Sequence, residues 1–328
     1  MNEPSRTLDA KLAKIRSGAY TPRDFIIADA KDGDMAFGIT APGPDGEGGW
    51  KVRAAHLDAV RQMTASELVD IMLMSVSTAD RLVGEKVFAE SSVTPAVRLN
   101  DTTDIWNARG SAYRTSASRP FASADVESAA TLCGLGLYSM TFYNDIDVDL
   151  GNLEAYRRFR LNLRDQPMMH FLEIFNPAFD IGIPVAELGH YVNDMIIKAL
   201  AGVVASDQPL FLKIQYNGAK AMRELASYDP EHLVVGILGG GKGTTRDTLE
   251  LIGQAAEAGA RVALFGRKIN LAEAPLELLR LMRATVEGTL TPEAAVRAYH
   301  DHLGEHDITP ERPLAVDMEI TETVLKRA

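Results

Sequence analysis

Eight short apolar runs, each followed by a polar turn and a stretch with apolar residues three and four apart, restrict the fold of this chain more than anything else in it. The runs lie at 25–28, 70–74, 95–99, 136–142, 170–175, 210–215, 233–238 and 261–265. The helical stretches lie at 54–62, 79–89, 123–132, 153–162, 186–201, 219–227, 245–258 and 274–287. Parallel strands are covered on both faces, so they read as near-continuous apolar runs instead of alternating ones. Eight strand–helix repeats predict an α/β fold, a (β/α)8 TIM barrel. A doubly wound open sheet is the rival. It usually has fewer strands, and no Gly-x-Gly-x-x-Gly fingerprint follows the first run. The chain then divides into an N-terminal extension (1–24), a barrel catalytic domain (25–303) and a C-terminal tail (304–328).

Charge and composition narrow the partners. With 34 Lys+Arg against 45 Asp+Glu in 328 residues, the net charge is −11, and a nucleic-acid ligand would call for a basic face. Residues 1–18 are polar and carry no apolar core of signal-peptide length. No stretch approaches the roughly 20 apolar residues of a membrane helix. Cys133 is the single cysteine, which rules out an internal disulfide framework and fits a reducing compartment. The expectation is a cytoplasmic protein acting on a small molecule, with neither nucleic acid nor membrane as partner. The tail at 309–328 is placed to contribute to a homo-oligomer contact.

Active sites of such barrels lie where the strands end. Lys213 stands inside the apolar run Pro-Leu-Phe-Leu-Lys-Ile, where an ammonium without a partner is costly to bury. Desolvation favours the neutral amine, the form that attacks a carbonyl. The alternative is a strand-end lysine paired with Glu173, itself a charge inside the run His-Phe-Leu-Glu-Ile-Phe. Glu173 is thus either a proton shuttle or half of a plain ion pair. Asp29, at the end of the first run, is either an acid/base or hydroxyl-binding group or a cap. Gly239, Gly240 and Gly241 after the seventh run, with Gly266 and Arg267 after the eighth, suit an anion held on bare backbone N–H groups. Arg98 is placed to hold a second anionic end.

Other features carry less. The stretch at 41–49 (APGPDGEGG) reads as a mobile loop. The segment at 99–121, with Trp106, Tyr113, Arg109, Arg114 and Arg119, is long enough to be functional. Gly236 to Gly243 follows P-loop spacing until Gly243 stands where Ser or Thr is required, so the magnesium ligand is missing. His300, His302 and His306 read as surface residues, no His-Glu-x-x-His is present, and no metal set is expected. Cys133 reads as core filler.

The strand-end residues resemble the class I aldolase superfamily that includes deoxyribose-phosphate, tagatose-bisphosphate and archaeal-type fructose-bisphosphate aldolases. Over 209–287, Leu-Lys213-Ile is similar to the family's Schiff-base strand, and Gly239-Gly240 and Gly266-Arg267 to its phosphate loops. Phe171-Leu-Glu173-Ile looks like the fifth strand of the tagatose-bisphosphate branch. The resemblance implies that Lys213 carries an imine and that no metal or cofactor takes part. Strand one departs from the pattern: it reads Ala28-Asp29-Ala-Lys-Asp32-Gly33, where members have Asp followed directly by His-Gly or Gln-Arg. Either Asp29 or Asp32 therefore takes the acidic role. The archaeal branch's acid/base tyrosine has no match on strand five. The resemblance implies reversible C–C cleavage of a phosphorylated or anionic sugar derivative. A sugar-phosphate isomerase or epimerase, with Glu173 as base, and a non-catalytic sugar-phosphate binding protein are the rivals.

Overall fold

The computed structural model describes residues 5–103 and 108–326, so Trp106 lies outside the described residues. Eight parallel strands follow one another around a closed barrel. They are β1 (Ile26–Lys31), β2 (Ile71–Ser75), β3 (Thr94–Arg98), β4 (Leu135–Thr141), β5 (Met169–Phe175), β6 (Leu212–Ile214), β7 (Val235–Leu238) and β8 (Val262–Phe265). β8 pairs back onto β1 in the register Ala28↔Leu264 and Asp29↔Phe265. Each apolar run overlaps one strand. β1 continues past its run because two charged residues, Asp29 and Lys31, lie within it.

Strand side chains alternate between two apolar clusters. Ile26, Ala28, Ile71, Leu73, Leu137, Phe171, Phe211 and Leu264 fill the barrel. Ile27, Met72, Met74, Leu172, Ile174, Ile237 and Phe265 face the surrounding helices. The segment before β1 belongs to this packing. Its helix Thr7–Arg16 places Leu8, Leu12 and Ile15 in the inner cluster, and Lys11 bridges Asp70 at 2.7 Å, ahead of β2. This helix closes the N-terminal end of the barrel.

Two readings are revised. The fourth helix, Ile146–Leu163, begins seven residues before the stretch read from periodicity (153–162), because Asp145 caps it by accepting from the amides of Asp147 and Val148. His300 is no surface residue: it meets Asp317 at 2.9 Å, with both side chains largely buried. The tail lies against the barrel, where Asp247 accepts from the Thr321 amide at 2.8 Å and Gln254 donates to the Leu325 carbonyl at 2.8 Å. The stretch at 41–49 turns on Asp45, whose carboxylate accepts from the Glu47 and Gly49 amides. Cys133 is buried, and burial pushes its thiol up to about 12. Among the described residues no helix is long and apolar enough to cross a membrane.

Phe171 and Phe211 stack in the barrel interior with ring centroids 4.7 Å apart. Phe171→Ala is expected to cost roughly 3–5 kcal/mol, the usual range for emptying an aromatic core position. Urea unfolding followed by circular dichroism should show a lower midpoint at unchanged slope.

Candidate active site

The register across three adjacent strands sets the site. Ser139 of β4 lies beside Glu173 of β5, and Glu173 beside Lys213 of β6. Glu173 and Lys213 share strand parity with Phe171 and Phe211, so both point into the barrel. Lys213 Nζ lies 2.7 Å from Glu173 Oε1, and each side chain is at most 5% exposed. Next in the row comes Gly236 of β7. A Cβ there would stand 2.6 Å from the Leu212 carbonyl oxygen, so close strand packing beside Lys213 requires glycine.

Arg98, at the end of β3, ties the site together. Its Nε donates to Asp32, Nη1 donates to Ser139 Oγ at 2.8 Å, and Nη2 donates to Glu173 Oε2 at 2.9 Å. Asp101 lies 3.5 Å from Nη1. Ser139 Oγ also donates to Glu173 Oε2 at 2.8 Å, so both Glu173 oxygens are engaged. Asn100 holds the Ser139 backbone from both sides, donating to its carbonyl at 2.7 Å and accepting from its amide at 2.6 Å. Two buried cations thus face three buried carboxyl groups.

The carboxyl groups divide by neighbourhood. Burial raises Asp32, but Arg98 and Lys213 outweigh it and hold the group below the ordinary aspartate range. Burial dominates at Asp101 against the pull of Arg98 and pushes it up to about 6. The Arg98 guanidinium is disfavoured by burial, yet Asp32 and Glu173 together raise it above its ordinary value.

The structure brings Lys213 and Glu173 together and does not bring Asp29 to them. β1 ends at Lys31, so Asp29 falls on the outer parity with Ile27 and Phe265, where it pairs with Lys31 at 2.7 Å. Asp32, bonded to Arg98, is the carboxylate just after β1 that lies at the site. Arg98 is corrected too: each of its nitrogens already has an internal partner, so it serves as a hub and is not open to a substrate anion. Ser139 and Asp101 escaped the sequence reading. The signal for Ser139 was a small hydroxyl residue within the apolar run of β4, at inward parity.

Gly239, Gly240 and Gly241 follow β7, and Gly266 and Arg267 follow the neighbouring β8. Gly240, at φ 68°, and Gly241 are exposed, whereas a Cβ on Gly239 would strike the Phe265 ring at 2.9 Å. The Arg267 guanidinium sits over the Phe37 ring at 5.0 Å. Burial and the nearby cation Arg114 lower Arg267 from its ordinary value. Among the described residues no carboxylate lies within ion-pair distance of Arg267 or Arg114.

No family model and no curated protein sequence matches the chain. Solved structures do. A crystal structure of an archaeal fructose 1,6-bisphosphate aldolase matches with 17% identity and a TM-score of 0.59, over 86% of this chain and 99% of that one. A structure described as a Schiff-base-forming fructose-1,6-bisphosphate aldolase, analysed through its reaction intermediates, matches with 18% identity and a TM-score of 0.57, over 85% and 99%. The fructose-bisphosphate aldolase from Slackia heliotrinireducens DSM 20476 matches with 13% identity and a TM-score of 0.61, over 93% and 92%. The chain therefore has the barrel fold found in Schiff-base aldolases.

Asp101 supplies a pH test. A carboxyl group raised to about 6 in the fold contributes stability below its unfolded value of 3.8, and that contribution is lost as pH rises through about 6. Asp101→Asn removes the loss. Between pH 4 and pH 7 the variant should gain about 2–3 kcal/mol relative to the parent chain. Urea unfolding of both proteins at the two pH values checks this, and a constant gap would show that Asp101 is not raised.

Proposed function

We propose that the chain is a class I aldolase that reversibly cleaves a C–C bond in a phosphorylated or otherwise anionic sugar derivative. The observation that carries this reading is the Lys213–Glu173 contact, 2.7 Å long, buried at the strand ends of a barrel. Lys213 Nζ is the nucleophile. To attack it must first shed a proton, and Glu173 Oε1 is the acceptor within hydrogen-bond reach. Attack on the substrate carbonyl gives a carbinolamine. Glu173 returns the proton to the departing oxygen, water leaves, and an iminium remains on Lys213.

The iminium is the electron sink for cleavage. A base removes the proton from the hydroxyl on the far carbon of the bond to be broken, that carbon becomes the aldehyde carbonyl carbon, and the bonding pair moves into an enamine on Lys213. Protonation at carbon and hydrolysis then release the second product and restore the amine. Arg98 and Ser139 fix the Glu173 carboxylate by hydrogen bonds to Oε2, leaving Oε1 for proton exchange. Asp32, kept ionised by Arg98 and Lys213, favours the positive charge that Lys213 carries as an iminium.

The anionic end of the substrate belongs at the β7–β8 rim, against the Gly240, Gly241 and Gly266 backbone and Arg267. Two cations, Arg267 and Arg114, with no ion-paired carboxylate among the described residues, in a chain of net charge −11, support that assignment. Arg267→Ala should raise KM for a phosphorylated substrate more than it lowers kcat, because remote phosphate contacts are shared by the ground and transition states. Steady-state kinetics would instead show a mainly kcat effect if the anion sat near the reacting carbons.

Borohydride reduction tests the imine directly. Treatment with a panel of aldehyde and ketone sugar phosphates should add one ligand mass to the peptide containing Lys213, read by mass spectrometry. Lys213→Met should abolish both trapping and turnover while the fold persists, since Met has similar volume and no charge to desolvate. Glu173→Gln should lower kcat by roughly 10² to 10⁴, the range for general acid–base groups. Cleavage by a folded Lys213→Met variant would refute the Schiff-base mechanism.

A further inference from the structure

A second polar cluster lies on the outer side of β1, where barrel strands ordinarily meet their helices through apolar groups. Met72, Met74, Ile174 and Ile237 do so on other strands, whereas β1 presents Asp29 and Lys31. A buried ion pair stabilises little relative to an apolar pair of similar volume, so its presence calls for another reason. Beside it runs a cavity of about 410 Å³, lined by Lys31, His56, Lys51 and Asn270, with Met63 and Leu276 giving an apolar wall.

The hydrogen-bond inventory of this cavity is incomplete. An ammonium has three donors. Lys31 forms an ion pair with Asp29 and donates to Asn270, and among the described residues it has no third partner. Burial lowers His56 from its ordinary value, outweighing the opposing pull of Asp34 and of the Lys31 carbonyl, so the neutral ring is favoured. His56 Nε2 is buried and, among the described residues, unpartnered, and in the Nδ1–H tautomer of the neutral ring it is an acceptor. His56 is 7% exposed and Lys31 is 4% exposed, so bulk water does not complete either group. Lys51, on the exposed rim, has no carboxylate within ion-pair distance among the described residues. The two carboxylates of the lining are engaged elsewhere, Asp58 with Arg61 and Glu273 with Tyr299 and the Glu311 amide.

The geometry points to a second ligand site here, on the outer side of β1 and separate from Lys213, fitted to a small hydroxy acid. One hydroxyl satisfies both open groups, donating to His56 Nε2 and accepting from Lys31 Nζ. The carboxylate meets Lys51 at the rim, and the carbon skeleton lies along Met63 and Leu276. The site takes no part in the reaction at Lys213, so it stands whether or not that lysine forms an imine.

The test uses the full chain with D-glycerate as probe, and glycerol and inorganic phosphate for comparison. Isothermal titration should show saturable binding of glycerate, with glycerol weaker. The His56 Nε2 resonance of protein labelled with nitrogen-15 histidine should shift as that atom accepts a hydrogen bond. His56→Leu should weaken glycerate binding about tenfold, the loss of one buried hydrogen bond, and leave borohydride trapping at Lys213 unchanged. Should His56→Leu fail to fold, Lys51→Met replaces it: this rim substitution should weaken glycerate and spare glycerol. Absence of saturable glycerate binding, binding of phosphate in preference to glycerate, or equal glycerate affinity in the folded variants overturns the proposal. So does a glycerate-soaked crystal with only ordered water at His56 Nε2.

Discussion

A side chain on a closed parallel barrel has two destinations, the interior or the helical layer, and strand parity decides between them. Everything at the centre of this protein follows from that. Glu173 and Lys213 are inward because they share parity with Phe171 and Phe211, and the β5–β6 register sets them side by side. Asp29 and Lys31 are outward for the same reason, being in step with Ile27. Both pairs are strand-end acid–lysine pairs with the same 2.7 Å contact, and they differ in which side of one wall they occupy.

Charges at such depth stand only as a connected set. Arg98 links Asp32, Glu173 and Ser139, and removing any one of them would leave a buried group without its partner. The set has a directional consequence. One oxygen of Glu173 is pinned by Arg98 and Ser139, and the other is turned toward Lys213. The β7–β8 rim differs in kind: its glycines expose backbone, and Arg267 rests on an aromatic ring instead of a carboxylate. One region is internally saturated, and the other, among the described residues, retains positive charge without an ion-paired carboxylate.

Much of the fold was legible in the chain because its signals are local. Apolar runs of strand length and helical periodicity are properties of neighbouring residues, and all eight strands lie where the runs do. Lys213, Glu173 and the two glycine loops were legible for a related reason: a charge inside an apolar run, or a glycine cluster after one, is anomalous on its own. Strand limits were less so. The charge at Asp29 reads as the end of the first run, although the strand continues two residues further, and this hid the parity that sends Asp29 outward and leaves Asp32 at the site.

What the sequence alone determined, then, is the repeat of strand and helix, the closed barrel it implies, and the presence of two displaced charges on its fifth and sixth strands. Tertiary structure decided which carboxylate stands with them. It turned Arg98 into a hub saturated by partners 66 and 75 residues away in the chain, and it recruited Ser139. The physical reason is that hydrogen bonds between strands depend on register and closure, and no local pattern of residue types encodes the partner across the barrel.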